Sequence, residues 1–338
     1  MPAAVPHSAE SHVDRRRHPD GLAFDIWHGA DGWPMRAYRW AAAAPPRGSL
    51  LFQSGRADFV EKYIEALDHW HRQGWAIEGF DWRGQGGSKP PRSGSETEPA
   101  VAARFSFDPM IDDLVGFARD WQARTPGPHV IVAHSMGAYL ALRACARAGG
   151  EGAAPDALIL VAPMFALNTR GLPRWMARVA IAAAVAAGYG ARPAWNEDRS
   201  DPGRQLRLTA SRERYEDSQW WKQRTPALAT GAPSWDWLAA ALAGGRRLVR
   251  RGLVERVRCP VLLLEAGLDA LVDAAAIERV AARLPDAELV RLADARHEIL
   301  RDADGPRLAA LGAIDAFLDR RAAPGRASPD AAITTRLQ

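Results

Sequence analysis

The stretch Ile131-Val132-Ala133-His134-Ser135-Met136-Gly137 decides the fold of this chain. An apolar run before it predicts a short buried strand, and a helical pattern begins directly after it. A strand, a small-x-Ser-x-Gly turn and a helix in immediate succession are typical of a nucleophile elbow. Such a turn strains the backbone at Ser135 and lifts its hydroxyl clear of the sheet. The small residues Ala133 and Gly137 let the strand and the helix approach closely.

Strands and helices alternate on both sides of this turn. The predicted strands are 22–28, 35–40, 49–53, 75–80, 129–132, 157–161, 261–265 and 288–292, and the predicted helices are 59–73, 107–123, 136–146, 273–284 and 306–320. This alternation predicts an α/β fold with a mostly parallel sheet covered by helices on both faces. The first two strands flank a short Gly-Trp-Pro turn and predict a β-hairpin.

The alternation stops between residues 164 and 250, where the pattern is helical and rich in tryptophan. We interpret this block as a helical cap, or lid, inserted between two parts of one core, residues 21–163 and 251–321. Residues 1–20 and 322–338 are polar and carry no periodic pattern, so we predict disordered tails there.

Charge and composition exclude several classes of protein. The net charge is +4 over 338 residues, and the arginines are dispersed among acidic residues, which argues against nucleic-acid binding. The sequence contains no run of 18 apolar residues, so no membrane span is predicted. Residues 1–20 lack the apolar segment of a secretory signal. Cys145 and Cys259 are far apart in sequence and lie in apolar stretches, which indicates buried thiols in a reducing compartment, so we expect a cytoplasmic protein.

Three residues in the chain order Ser, Asp, His predict a catalytic triad. A serine hydroxyl needs a positioned base, and that base needs an orienting carboxylate. Asp269 follows the strand 261–265 and His297 follows the strand 288–292, at the sheet edge where ligand sites of parallel sheets lie. We predict Ser135 as the nucleophile, His297 as general base and then acid, and Asp269 as the orienting carboxylate.

Alternatives remain for two members of this triad. Asp273 and Asp294 lie near the same strand ends and are rival carboxylates. Taken alone, His297 fits a surface or helix-capping histidine, and Asp269 fits a turn residue before a helix. The occurrence of all three groups at strand ends, in the required order, favours the triad.

The donors for an oxyanion are predicted in the backbone. One is the N–H of Met136 at the start of the helix, and the other is the N–H of Arg56 in the loop after the third strand, where Gly55 suits the turn. His134 lies beside the nucleophile and is predicted to pack against the pocket or line its wall.

The inserted block is predicted to supply the substrate pocket. It holds six tryptophans, Trp175, Trp195, Trp220, Trp221, Trp235 and Trp237. About half of these fit the core of the block, and the others fit an apolar tunnel above Ser135 that accepts an acyl chain. We take Trp220, Trp235 and Trp237 as the candidates, together with Gly55 and His134. Alternatively, the alanine-rich stretch 174–189 lies on a membrane surface at the inner face of the membrane.

These residues together resemble the α/β-hydrolase superfamily, and in particular its bacterial lysophospholipase and monoacylglycerol lipase branch, grouped with the serine aminopeptidase-like hydrolases. The resemblance covers roughly residues 22–320. The stretches that carry it are Gly55-Arg56 through Tyr63, Asp81 to Ser88, Ala133 to Gly137, Gly267-Leu268-Asp269, His297 and, in the cap, Leu208 to Tyr215 and Gly231 to Leu238. Two positions depart from the pattern, because Ser54 replaces a histidine and Ser211 replaces an acidic residue.

The resemblance implies an α/β-hydrolase fold and ester hydrolysis through an acyl-enzyme, with no cofactor and no metal. Our leading hypothesis is a serine esterase acting on monoacyl lipids such as lysophospholipid or monoacylglycerol. The alternatives are a short-chain carboxylesterase or acyl transferase and, in another class, a non-catalytic protein that binds a ligand in the same pocket. The oligomeric state is left open.

Overall fold

The computed structural model describes residues 13–89, 104–147, 154–169, 171–196 and 202–323. Within these ranges one sheet contains eight strands in the order β1-β2-β4-β3-β5-β6-β7-β8. The strands are β1 (Leu22–His28), β2 (Pro34–Trp40), β3 (Gly48–Gln53), β4 (Trp75–Phe80), β5 (His129–His134), β6 (Ala157–Val161), β7 (Val261–Ala266) and β8 (Ala287–Leu292). The predicted strands are therefore confirmed to within two residues at each end.

Strand directions follow the predicted pattern. β1 and β2 form the expected antiparallel hairpin, and β2 also runs antiparallel to β4. All other neighbours are parallel. β5 lies in the middle of the sheet between β3 and β6, and its residues are almost all buried because both faces are covered. The elbow residue at its carboxyl end is therefore held by the most protected part of the molecule.

Helices cover both faces of the sheet, as predicted. The core helices are α1 (Ile64–Arg72), α2 (Asp108–Arg124), α3 (Met136–Arg147), α8 (Ala274–Ala281) and α9 (Asp304–Arg321). Helices α2, α3 and α8 pack in the core cluster on one face, and α1 and α9 pack in the cluster on the other face. The helix predicted at 59–73 begins with a 3-10 turn, Val60–Tyr63. The helix predicted at 273–284 begins one residue later, because the Asp273 side chain caps it by accepting from the Ala275 N–H.

Further helices lie between β6 and β7, where the sequence predicted an insertion. They are α4 (Arg174–Ala184), a π-helical turn (Val185–Tyr189), α5 (Pro202–Leu208), α6 (Arg212–Arg224) and α7 (Trp235–Val249). Serine side chains cap two of them. Ser211 accepts a hydrogen bond from the Arg214 N–H at the start of α6, and Ser234 accepts one from the Trp237 N–H at the start of α7. Ser211 therefore has a structural role at the position where the resemblance leads one to expect an acidic residue.

The prediction of a disordered tail over residues 1–20 was wrong for residues 13–20. The Nε atoms of Arg15 and Arg16 donate to Asp217 on α6 at 2.6 and 2.7 Å. The indole of Trp221 donates to the backbone oxygen of Arg15, and the His18 ring stacks on Trp221. A basic run that looks solvated in the sequence is thus held by a buried carboxylate some 200 positions away. The predicted disordered tail 322–338 was likewise wrong at its first residue, because Ala322 is buried at the end of α9. Residues 1–12 and 324–338 lie outside the described residues.

Candidate active site

The elbow has the strained geometry that the sequence predicted. Ser135 has a φ of +52°, in the left-handed region that L-residues seldom occupy. Its N–H donates to the Val161 oxygen at 2.9 Å, which fixes the turn against β6. A Cβ at Gly137 would lie 2.3 Å from the backbone oxygen of Ser54, so only glycine fits between α3 and the loop after β3. The predicted need for a small residue after the serine is confirmed.

Ser135, His297 and Asp269 converge at the carboxyl edge of the sheet. His297 Nε2 lies 2.9 Å from Ser135 Oγ, and His297 Nδ1 lies 2.7 Å from Asp269 Oδ2. The other carboxylate oxygen of Asp269 accepts from the N–H groups of Leu271 and Val272 at 2.7 and 3.0 Å. The carboxylate is therefore fixed by its own loop, and it orients the imidazole toward the serine.

The two rival carboxylates have other places in the fold. Asp273 caps α8 and pairs with Arg174 at the surface. Asp294 is exposed in the loop after β8. Among the described residues, Asp269 is the carboxylate that hydrogen-bonds the His297 ring.

Burial and charge act against each other on the imidazole and its carboxylate. Burial by itself would lower the pKa of His297, but the charge and hydrogen bond of Asp269 outweigh it and raise this pKa above its usual value. Burial would likewise raise the pKa of Asp269, yet the His297 charge and hydrogen bond, with two backbone N–H groups, lower it. Each group thus stabilises the charged form of the other, which suits a base that accepts a proton.

The predicted oxyanion donors lie next to the serine. β3 pairs with β5 in parallel, so the loop carrying Gly55 and Arg56 emerges beside Ser135. A Cβ at Gly55 would lie 3.1 Å from the Ser135 Cβ, which shows how closely this loop passes the nucleophile. Met136 is the first residue of α3, where backbone N–H groups have no acceptor within the helix. Both backbone groups are therefore near the reacting hydroxyl, and their role as oxyanion donors stays a prediction.

A buried polar network beneath the site was not predicted from the sequence. Asp58 accepts from the Gly55 N–H at 3.0 Å and from the Tyr63 hydroxyl at 2.7 Å, and Lys62 contacts both Asp58 and Glu298. The network joins the loop after β3 to the loop that carries the catalytic histidine candidate, because Glu298 is its neighbour in sequence. All three charged side chains are buried.

His134 belongs to the same network. Its Nδ1 lies 2.9 Å from the Tyr63 hydroxyl, and its Nε2 donates to the backbone oxygen of His297 at 3.1 Å. The ring is buried, and it also lines the cavity above the serine. It therefore ties the elbow to the histidine loop, and its place in a substrate pocket stays a prediction.

A cavity of about 670 Å³ opens above Ser135, and the cap covers it. Trp237 and Trp195 line it, but Trp220 and Trp235 lie outside its described lining, so those two assignments were wrong. Trp220 packs edge-on against Trp221, and Trp235 packs against the core cluster beneath α7. Gly55 lies beside the serine beneath the cavity rather than in its wall. Trp220, Trp221 and Trp235 thus serve as packing, and the wall that includes Trp195 and Trp237 is only in part the apolar tunnel that the sequence predicted.

Polar side chains that were not predicted from the sequence occupy much of the cavity wall. They include Arg56, Lys62, Arg204, Arg207, Gln219, Lys222 and Glu298. One available signal was the scarcity of lysine, which occurs at three positions among 44 basic residues. Two of those three, Lys62 and Lys222, face this cavity. Among the described residues, no group of three or more His, Cys, Asp or Glu side chains is arranged to hold a metal ion.

Comparisons with known proteins show the family of this chain. The family model described as "Serine aminopeptidase, S33" matches residues 44–304. The chain is 31% identical over 315 residues to lysophospholipase L2 of Escherichia coli K12, covering 88% of this chain and 87% of that protein. It is 24% identical to the probable lysophospholipase L2 of Haemophilus influenzae, covering 81% of this chain and 84% of that protein.

Solved structures show the same fold. A soluble variant of monoglyceride lipase from Saccharomyces cerevisiae matches 95% of this chain and 99% of its own, with a TM-score of 0.69 and 17% identity. The monoacylglycerol lipase of Paleococcus ferrophilus matches 84% of this chain and 98% of its own, with a TM-score of 0.62 and 17% identity. At such low identity these structures bear on the fold alone, which is that of the α/β-hydrolases, as the sequence predicted.

Proposed function

Because the chain belongs to the serine aminopeptidase S33 family of α/β-hydrolases, we propose that Ser135, His297 and Asp269 are the catalytic triad of an esterase that cleaves monoacyl lipids. The relationship to the lysophospholipases over most of the chain makes the protein a lipid ester hydrolase. The observation that carries the triad is one imidazole hydrogen-bonded at once to Ser135 Oγ and to Asp269.

The proposed reaction has two steps that share one tetrahedral geometry. Ser135 Oγ attacks the ester carbonyl while His297 Nε2 takes the hydroxyl proton, and the same proton is then given to the leaving alcohol. Water attacks the acyl-enzyme in the second step, again with His297 as base and then as acid, and a fatty acid leaves. The backbone N–H groups of Met136 and Arg56 are proposed to stabilise the oxyanion in both steps.

The cavity supports a substrate with one alkyl chain. Its volume of about 670 Å³ lies within the range of small-molecule sites. Met164, Leu167, Trp237 and Leu238 form an apolar part of its wall. We propose that the acyl chain lies along these side chains with its ester at Ser135, which favours a monoacyl lipid over a short-chain ester.

The test is turnover of esters by the wild-type protein and by Ser135→Ala. We expect hydrolysis of 1-palmitoyl lysophospholipid and 1-palmitoylglycerol, and a loss of up to about 10⁶-fold in kcat for the variant. A fluorophosphonate probe should label the wild type and not the variant. Retained turnover in Ser135→Ala would contradict the triad. A series of p-nitrophenyl esters then tests the acyl chain, because a preference for acetate over decanoate would favour the short-chain esterase.

We further propose that α4 makes a peripheral contact with an anionic membrane. Trp175 and Val179 are 65% and 60% exposed on this helix, and Arg174 lies beside them. Within the described part of the chain, no helix has the length and apolarity needed to cross a bilayer. The wild-type protein should sediment with phosphatidylglycerol vesicles, and the double variant W175S/V179S should sediment with them much less. Equal sedimentation of the two proteins would contradict this contact, and the cytoplasmic location stays a prediction.

A further inference from the structure

Cationic side chains line part of the cavity above Ser135, and none of them belongs to the proposed triad. The cationic side chains in the lining are Arg56, Lys62, Arg204, Arg207 and Lys222, and the carboxylates are Asp58 and Glu298. Both carboxylates are in contact with Lys62, so they already have a cationic partner. Positive side chains therefore outnumber negative ones around the cavity.

Lys222 differs from Lys62 in what surrounds its ammonium group. It lies on α6 with its side chain mostly buried in the cavity wall. Across the ranges that the structure describes, no acceptor lies within hydrogen-bonding distance of Lys222 Nζ, whereas Lys62 Nζ has two carboxylates. Burial, followed by the charges of Lys62 and Arg204, lowers the pKa of Lys222 to about 8. An ammonium in such surroundings would be stabilised by an anion that enters the cavity.

Another part of the cavity lining is apolar. Met164, Leu167, Trp237, Leu238 and Leu271 line it and belong to, or pack against, the core cluster on the α2–α3 face of the sheet. The lining is therefore amphipathic, because it combines apolar side chains suited to an alkyl chain with cations from α5 and α6. A ligand that satisfies both sides carries one alkyl chain and one anionic group.

The anion at Lys222 is a different group from the one formed in the reaction. The oxyanion, and later the carboxylate of the fatty acid, lie at Ser135 between backbone N–H groups. A second anion in the same substrate must belong to its alcohol half. In a monoacyl glycerolipid that group is the phosphate of the head group.

We propose that Lys222 binds the phosphate of a lysophospholipid, with Arg204 and Arg207 adding positive charge to the same wall. This inference rests on the proposed function and narrows it, because it makes lysophospholipid, rather than monoacylglycerol, the preferred substrate class. The phosphate bond would hold the glycerol half in place while the acyl chain lies on the apolar wall.

The first experiment compares two substrates that differ in the phosphate. Values of kcat/KM are measured for 1-palmitoyl lysophosphatidylglycerol and 1-palmitoylglycerol with wild type, Lys222→Met, Lys222→Arg and, as a control on the same helix outside the cavity lining, Arg224→Met. The ratio of the two values should fall about 10- to 100-fold in Lys222→Met, as expected for loss of a charged hydrogen bond. Lys222→Arg should lose less, and Arg224→Met should keep the wild-type ratio. A ratio within threefold of wild type in Lys222→Met would overturn the proposal.

The second experiment measures binding without turnover. Glycerol 3-phosphate and inorganic phosphate are titrated calorimetrically into Ser135→Ala and into Ser135→Ala/Lys222→Met. We expect glycerol 3-phosphate to bind at least tenfold more tightly than inorganic phosphate, and only when Lys222 is present. Equal binding of the two would assign the site to free phosphate, and binding that survives in the double variant would overturn the site. Because no ester is cleaved here, failure of the proposed function and failure of this inference are told apart.

Discussion

Replacing Lys62 by methionine should destabilise the fold, because Lys62 is the cation of a buried carboxylate pair. Its Nζ contacts Asp58 and Glu298, and each of these side chains is no more than 6% exposed. Glu298 keeps a second cationic partner in Arg301. Among the described residues, Asp58 keeps the Tyr63 hydroxyl and the Gly55 N–H as uncharged donors, with the His134 ring nearby. The variant thus leaves Asp58 with few partners to stabilise its buried charge.

This arrangement sets the loss in the free energy of unfolding that we expect for Lys62→Met. Removing one partner of a buried ion pair typically costs about 3–5 kcal/mol, and the contacts that survive place this variant near the lower end, at about 3 kcal/mol. At about 2 °C per kcal/mol for a chain of this size, the melting temperature should fall by about 6 °C. Arg212→Met, which removes an exposed ion pair with Glu216, is the control and should leave the melting temperature unchanged within error.

The pH dependence of this loss gives a second measurement. Burial by itself would raise the pKa of both carboxylates, but the charge of Lys62 is the largest opposing influence, and the pKa of Glu298 lies at about 2 and that of Asp58 well below its usual value. Without Lys62 the folded-state pKa of Asp58 should rise above its value in the unfolded chain. The folded variant then binds a proton more readily than the unfolded variant. Its loss of melting temperature relative to wild type should therefore shrink as pH falls from 8 to 5. A melting temperature within 1 °C of wild type at pH 8, or a deficit that grows toward pH 5, would refute the reasoning.

Two further predictions concern the triad and the elbow. Asp269→Asn should lower kcat by about 10⁴-fold. His297 must be neutral to act as a base, and the Asp269 charge contributes to its raised pKa. Asp269→Asn should therefore also move the acid limb of the kcat/KM profile to lower pH. An unmoved limb would contradict the pairing of Asp269 with His297. Gly137→Ala should abolish most activity and lower the melting temperature, since its Cβ would meet the Ser54 oxygen at 2.3 Å. Gly312→Ala on α9, with no atom within 4 Å of its Cβ, should instead stabilise the protein by about 0.4–1 kcal/mol, and equal effects of the two changes would refute the steric argument.

The convergence of Ser135, Asp269 and His297 could be predicted because these residues lie at the ends of strands that the sequence pattern already located. The parallel arrangement brings those ends to one edge, so chain order and strand position were sufficient to select Ser135, Asp269 and His297. The same reasoning placed Arg56 and Met136 beside the nucleophile. The rejected rivals, Asp273 and Asp294, lie only four and three residues from the selected groups, a difference that depends on loop conformation and not on pattern.

The buried network could not be predicted in this way. Lys62 and Glu298 are 236 positions apart, and nothing in periodicity pairs a lysine on the turn before α1 with a glutamate after β8. The assignment of Trp220 and Trp235 to the pocket failed because a large aromatic side chain packs a helical cap as readily as it lines a pocket. Only the cap's tertiary packing separates Trp237, which lines the cavity, from Trp235, which does not.

One physical reason explains why the two basic residues at positions 62 and 222 of the cavity are lysines, in a chain whose other cations are nearly all arginines. A guanidinium has five N–H donors in a rigid plane, and a buried site must supply acceptors for them, whereas an ammonium is a compact charge with three rotatable donors. At Lys62 two carboxylates of the protein fill that need. At Lys222 the described residues supply none, so the acceptor must come with the ligand or from water. Lysine therefore joins two loops beside Ser135 at position 62, and at position 222 it offers the three donors that the proposed phosphate would accept from.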